Sequence, residues 1–283
     1  MPSILLHPPL PHALAALLYV GLAIHFWRTR WRGAALDQPV KGLAVWERLW
    51  LFIALVLHAI TLALEVHPSG FETTRFGFAA ALSLMMWLAV AFYWIESFYA
   101  RMEGLQMLGL PLAALCVLLP LWIPSQHILA NAGAPAFRIH LTMAMLAYSL
   151  FTLAALHAIL MAVAEKRLHR GRMSPLFAGL PPLLTMERLL FRLIHFAFFL
   201  LTLTLVSGIL FSEQIFGKAL PFNHKTVFAL LSWIIFAALL AGRHFRGWRG
   251  RVALRWTLAG FVTLLLAYVG SRFVLEVLLG RPA

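Results

Sequence analysis

Two histidines stand at the beginnings of separate apolar segments of the chain. His140 opens the stretch HLTMAMLAYSL, and His224 opens the stretch HKTVFALLSWIIFAALL. Two imidazoles from different helices can ligate the iron of a haem from opposite sides. The pair therefore predicts a haem-iron (metal) site with His140 and His224 as ligands. The alternative is that both histidines are interfacial polar side chains at helix ends.

Three cations accompany these histidines. Arg138 shortly precedes His140, Lys225 follows His224, and Arg272 lies near the end of the last apolar segment. A haem carries two propionates, and a guanidinium fork pairs well with a carboxylate. We expect these cations to bind the propionates of a haem cofactor. The alternative is ordinary snorkelling of long cationic side chains at a membrane interface.

A further histidine, His58, lies inside an apolar segment. Thr61 and Glu65 follow it on the same helical face. An ionisable residue at membrane depth is a functional candidate, because leaving it in hydrocarbon costs several kcal/mol. His58 is thus predicted to bind a cofactor or handle protons, unless it only bonds a neighbouring helix and holds the packing. His157 lies roughly 25 Å along its helix from His140 and cannot share a small site with it.

Membrane-spanning helices must position these residues. Of the 283 residues, 62% are hydrophobic and 12% are charged, and the mean hydropathy is +0.87. Soluble domains are about a quarter charged. Apolar runs long enough to cross a ~30 Å hydrocarbon layer recur along the chain, and their length is helical. The sequence predicts an all-α polytopic membrane bundle of eight transmembrane helices, forming a single integral membrane domain over residues 1–283. The predicted spans are 10–27, 49–66, 77–95, 105–123, 139–164, 189–211, 226–241 and 252–275.

Basic residues set the expected orientation of the bundle. Most of the 23 Lys and Arg residues fall in loops 28–48, 97–104, 165–192 and 242–255, which eight spans place on one side. The positive-inside rule makes these Arg-rich loops cytoplasmic and both termini periplasmic in a multi-pass protein of the cell inner membrane. The net charge of +13 is then a topology signal, with a lipid bilayer as partner and no nucleic acid.

Motifs for bond-making chemistry are missing from the sequence. It has no H-E-x-x-H, no Walker loop and no G-x-S-x-G, and its lone cysteine, Cys116, can form no redox pair. We therefore expect no enzymatic activity. An alternative function is an accessory or transport protein for divalent cations or a small solute, with His58 and Glu65 as its polar track. A third is a scaffold whose Arg-rich loops bind a partner protein.

The C-terminal half carries motifs that resemble a known family. They are PPLLTMERLLF at 181–191, LLTLTLVSGILF at 200–211, HKTVFALLSWIIFAALL at 224–240, GWRGR at 247–251 and AYVGSRF at 267–273. This pattern resembles the cytochrome c assembly family of CcsA/CcmC type, and within it the HemX/YpjD-like branch of small inner membrane proteins. The resemblance covers a core of about residues 45–277 and is clearest from 135 to 275.

The resemblance implies a haem-interacting membrane protein with a role related to cytochrome c assembly, with other assembly or membrane proteins as partners. His140 falls where the family has a haem-ligating histidine on the periplasmic side. The sequence lacks the family's Trp-rich haem signature: W-D-P-K-E-T-W is replaced by FNHKTVF, in which Lys225 alone matches. The family's second periplasmic histidine, after the last helix, is also missing, and His224 is our candidate for its place.

Overall fold

A computed structural model gives the fold. It describes residues 9–31, 42–67, 74–99, 104–125, 127–129, 132–169, 180–212 and 223–280. Parts of the predicted loops 28–48, 97–104 and 165–192 lie outside the described residues, as does Phe222 of the FNHKTVF segment. Arg32, Lys41, Arg101, Arg170 and Arg172 are among the loop cations that lie outside them.

The described residues form eight helices. They are α1 (Pro9–Phe26, continued by a π-helical turn Trp27–Trp31), α2 (Val45–Val66), α3 (Phe78–Glu96), α4 (Gln106–Trp122), α5 (Pro135–His169), α6 (Leu183–Leu210), α7 (His224–Arg246) and α8 (Gly250–Leu265, continued by π-helical turns Leu266–Gly270 and Phe273–Leu278). Within the described ranges, seven of them are long and apolar enough to cross a membrane. The remaining helix, α4, has 17 residues and contains Pro111 and Pro120. The predicted all-helical membrane architecture is confirmed.

Helix α5 is the centre of the bundle. It packs against α3, α6 and α8, and it is the most enclosed of the seven long helices. Helix α1 packs against α2 and α4, and α7 packs between α6 and α8. The rings of Phe151 in α5 and Phe236 in α7 stack with their centroids 3.9 Å apart, and this contact joins α5 to α7.

Acid–base pairs between helices cluster at one end of the bundle, which we call the Arg-rich face. The pairs are Arg30–Glu47 (2.6 Å), Arg192–Glu96 (2.6 Å), Arg243–Glu187 (2.6 Å) and Arg251–Glu165 (2.9 Å). Each pair ties two different helices together where the chain leaves the apolar layer. The arginines predicted to mark one membrane side therefore also hold the helix ends in register.

The residues GWRGR at 247–251 form the turn between α7 and α8 and the first residues of α8. Gly247 has φ 65°, a left-handed conformation that ends α7, and the Trp248 N–H donates to Gly242 O at 3.1 Å. A Cβ on Gly242 would lie 2.3 Å from the Trp248 ring, so only glycine lets the indole lie on the helix. Arg243 then reaches both Glu187 and the carbonyl of Trp248.

The opposite end, which we call the His140 face, carries the start of α5, the start of α7 and the end of α8. Two loop segments cover part of it: Arg75 and Ile128 form an antiparallel bridge, and Phe76 N–H donates to His127 O at 2.9 Å. Glu65, near the end of α2, accepts a hydrogen bond from Ser125 N–H at 2.9 Å. These contacts fix the loop after α4 against α2 and α3.

Candidate functional site

His140 is held against α6 by a serine and a glycine. Its Nδ1 lies 2.9 Å from Ser207 Oγ, and Ser207 Oγ donates to Thr204 O at 3.0 Å. Gly208 lies beneath the ring, since a Cβ there would be 3.3 Å from His140 Cε1. Ser207 and Gly208 therefore form the surface of α6 against which the imidazole packs.

Ser207 Oγ links His140 to the backbone of α6. When the single hydroxyl hydrogen of Ser207 is donated to Thr204 O, Ser207 Oγ accepts from the Nδ1–H of His140. In that tautomer the lone pair of the neutral ring is on Nε2. An oriented imidazole whose other nitrogen is tied to a neighbour is the arrangement found in metal-ligating histidines.

Substituting Ser207 by alanine is expected to weaken haem binding about tenfold, because the ring loses the acceptor that fixes its orientation. Haem titration in detergent, followed by absorbance, measures the change. Ser232→Ala is the matched control, since Ser232 Oγ also donates to a helix carbonyl, Gly260 O at 3.0 Å, but lies on the α7–α8 contact. Equal affinities for the two variants would show that Ser207 does not position His140.

The other predicted iron ligand, His224, is the first residue of α7. Asn223 caps this helix by accepting from Thr226 N–H at 3.1 Å, and His224 itself is exposed. Arg138 is also exposed, and its Nε donates to Ala132 O at 2.6 Å. Across the described parts of the His140 face, no hydrogen bond or ring contact joins His140 to His224. Their pairing on one haem remains a prediction.

Lys225 and Arg272, two of the three predicted cations, are brought together by Tyr268. Lys225 Nζ lies 5.8 Å from the centre of the Tyr268 ring, and Arg272 Cζ lies 5.7 Å from it. Both distances are within the range of a cation–π interaction. Arg272 is only 5% exposed, whereas Lys225 is half-buried at the start of α7.

His127, in the loop after α4, adds a titratable group beside these cations. Burial, together with the positive charges of Arg272 and Lys225, holds the pKa of His127 below its usual range. The imidazole therefore stays neutral to lower pH than a free histidine would. Arg272 and Lys225 are the positive charges that act on His127 at this corner of the His140 face.

His58 is buried among three helices and is hydrogen-bonded at both ring nitrogens. Nδ1 lies 3.1 Å from the Tyr19 hydroxyl of α1, and Nε2 lies 2.9 Å from Ser83 Oγ of α3. Thr61 donates to the backbone carbonyl of His58, whereas Glu65 bonds to the loop at Ser125. This pattern is typical of a histidine that holds packing, and its binding of a cofactor stays a prediction. His12, in the first turn of α1, is only 4% exposed, since α1 packs against α2 and α4.

Several residues of the site were not singled out from the sequence. The segments LLTLTLVSGILF and AYVGSRF contain Ser207, Gly208 and Tyr268. A single amino-acid sequence does not reveal which helix these residues face. Glu276 is likewise not among the residues predicted from the sequence. A small–polar pair inside an apolar helix is the signal that points to Ser207 and Gly208, since small residues mark close helix contacts in membranes.

Comparison with known proteins assigns the family. The model of the Cytochrome C assembly protein family matches residues 43–279. The chain belongs to this family. The family resemblance read from the motifs of the C-terminal half is thereby confirmed.

Relatives of this chain include proteins of three bacteria. It is 29% identical to inner membrane protein YpjD of Escherichia coli K12 over 238 residues, which cover 82% of this chain and 89% of YpjD. It is 33% identical to a 28.8 kDa protein of Azospirillum brasilense over 53% of this chain and 56% of that protein. It is 33% identical to cytochrome c biogenesis protein CcsA of Gloeobacter violaceus over 32% of this chain and 27% of CcsA. No solved structure matches the chain significantly.

Proposed function

We propose that this protein binds haem at the His140 face and takes part in cytochrome c biogenesis or haem handling, with no bond-making chemistry of its own. His140 is one axial ligand of the iron and His224 the other. Lys225, Arg272 and the more exposed Arg138 are the cations for the propionates. Haem here is cargo that the protein holds or presents to a partner.

The observation that carries this proposal is the orientation of His140. Its Nδ1 lies 2.9 Å from Ser207 Oγ, which leaves Nε2 as the nitrogen that would ligate iron. Membership of the cytochrome c assembly family supports the same function, as does the similarity to the cytochrome c biogenesis protein CcsA. The Trp-rich haem signature is absent, so we propose a holding or accessory role rather than haem export.

A genetic experiment tests the role in cells that make c-type cytochromes. Deleting the gene is expected to lower the covalently bound haem of membrane c-type cytochromes, measured by haem staining of denaturing gels. The wild-type gene is expected to restore the staining, and the His140→Ala gene is not. Unchanged staining in the deletion strain, with haem synthesis intact, would refute the role in biogenesis.

We also propose that all eight helices cross the inner membrane, which puts both termini on the periplasmic side. The two ends of helix α4 support this, because they lie at opposite faces of the bundle. Just before its start, near the Arg-rich face, Gly104 lies against Leu160 and Leu180. After its end, Ser125 N–H donates to Glu65, near the His140 face. At 1.5 Å per residue a helix of this length reaches about 26 Å, slightly less than the hydrocarbon layer. The arginines of the Arg-rich face then lie in the cytoplasm.

Cysteine labelling checks this orientation. In a Cys116→Ala background, Ile128→Cys on the His140 face is expected to react with a membrane-impermeant maleimide in spheroplasts, and Phe245→Cys on the Arg-rich face is not. Both positions are exposed, at 54% and 82% respectively. Both should react after detergent is added. The reverse pattern in intact spheroplasts would contradict the periplasmic placement of the His140 face.

A further inference from the structure

The end of α8 carries a buried arginine in an unusual helical environment. Arg272 lies between the π-helical turns Leu266–Gly270 and Phe273–Leu278. Such widened turns are rare in proteins, and where they occur they are often at functional sites. Arg272 is 5% exposed, and its Nε and Nη1 have no hydrogen-bond partner within the described part of the chain. A guanidinium taken out of water without such partners is costly, so the site favours an anion.

The surroundings of Arg272 are suited to an oxyanion. Lys225 adds a second positive charge across the Tyr268 ring. The buried Tyr268 hydroxyl lies beside the guanidinium of Arg272, whose N–H groups face its oxygen, so the hydroxyl hydrogen is available as a further donor. A guanidinium, an ammonium and a phenol hydroxyl together match a carboxylate or a phosphate.

The negative charge beside Arg272 belongs to Glu276 and is held mainly by another helix. Glu276 Oε2 accepts from Phe78 N–H at 2.7 Å, at the N-terminus of α3, where backbone N–H groups favour an anion. A Cβ at Gly77 would lie 2.6 Å from the same oxygen, so the carboxylate lies directly on the start of α3. The other oxygen, Oε1, is 3.6 Å from Arg272 Nη1, an ion-pair distance without a hydrogen bond.

We propose that Arg272, Lys225 and the Tyr268 hydroxyl form an oxyanion-binding site in which Glu276 is a resident counter-ion whose negative charge weakens the binding of an incoming anion. An external carboxylate or phosphate gains the unmade hydrogen bonds of Arg272 while Glu276 remains on α3 and repels it. The inference rests on the proposed haem function only for the source of the anion, which would then be a porphyrin propionate. A lipid or free phosphate offers the same chemistry.

Metal-free protoporphyrin IX tests the site without any iron ligation. Binding to the purified full chain in detergent is followed by quenching of tryptophan fluorescence. Glu276→Gln keeps an oxygen acceptor for Phe78 N–H but removes the charge, so we expect about tenfold tighter binding. Arg272→Gln is expected to weaken binding by about 30-fold, with Arg272→Lys between it and the wild type. Arg246→Gln, the control at an exposed arginine of the Arg-rich face, should change affinity less than about threefold.

Two further arms identify the anion. Protoporphyrin dimethyl ester, which has no carboxylate, is expected to bind weakly and equally to the wild type and to Glu276→Gln. If inorganic phosphate displaces protoporphyrin IX, and does so more readily from Glu276→Gln than from the wild type, the site also binds phosphate. If phosphate has no effect, the site is restricted to the porphyrin carboxylates. Short-chain phosphatidic acid in the same competition reports on lipid headgroups.

Clear outcomes would overturn the inference. Unchanged or weaker binding of protoporphyrin by a folded Glu276→Gln, or ester binding as tight as that of the free acid, would show that no such site exists. If iron haem fails to bind through His140 but the charge-dependent gain in Glu276→Gln persists, the proposed haem function fails and the oxyanion site stands.

Discussion

Replacing His140 by alanine is expected to weaken haem binding by more than about 100-fold and to remove the Soret band that haem develops on the wild-type protein. The reason is that Nε2 of His140 is the nitrogen left open by the Nδ1–Ser207 bond. Haem titration of the purified variant, followed by absorbance, gives the measurement. His224→Ala is expected to keep a band but to shift it, since one axial ligand of two would be lost.

The control is the same substitution at an exposed histidine of the Arg-rich face. His244 lies near the end of α7, far along the helix from the His140 face. The His244→Ala variant should therefore bind haem like the wild type. If His140→Ala and His244→Ala bind haem equally, His140 is not a ligand. A spectrum of His224→Ala identical to that of the wild type would show that His140 acts without it.

Replacing His58 by leucine is expected to destabilise the folded protein by about 3 kcal/mol. The leucine fills most of the space but leaves the hydroxyls of Tyr19 and Ser83 buried without their partner, and each such group costs about 1–3 kcal/mol. Thermal unfolding of the purified protein in detergent, at fixed detergent and protein concentrations, measures the loss. Haem affinity of the fraction that remains folded is expected to be unchanged.

His195→Leu is the matched control for this experiment. Within the part of the chain that the structure describes, His195 bonds to the carbonyl of Phe191 on its own helix, at 2.6 Å, and it is exposed on the outside of the bundle. Its replacement should change the unfolding temperature little. The opposite result for His58→Leu, normal stability with haem binding lost, would make His58 a cofactor ligand rather than a packing residue.

The helices could be predicted from hydropathy because each apolar run must cross or fill the membrane layer. Their ends could not: α5 runs from Pro135 to His169, beyond the predicted 139–164, and α6 begins at Leu183 rather than 189. Hydropathy registers only the apolar part of a helix, whereas backbone hydrogen bonds continue into the polar ends. Those ends carry Glu165 and Glu187, whose ion pairs hold the Arg-rich face together.

The candidate site was only partly predictable. His140, Lys225 and Arg272 stood out because ionisable residues are rare in apolar sequence. Their partners did not: Ser207 meets His140 across 67 positions of sequence, and Glu276 meets Phe78 across 198. Such contacts depend on which helices pack together, which periodicity within one helix does not determine. For the same reason the sequence does not reveal that Tyr19 and Ser83 lie at the two ring nitrogens of His58.

The absorption spectrum of the wild-type protein, purified in detergent and titrated with haem, tests the central claim most directly. The proposed ligation predicts a Soret band that grows to saturation at one haem per chain and that changes on reduction as expected for iron with histidine ligands. A folded protein that develops no such band at any haem concentration would contradict the claim that His140 holds haem.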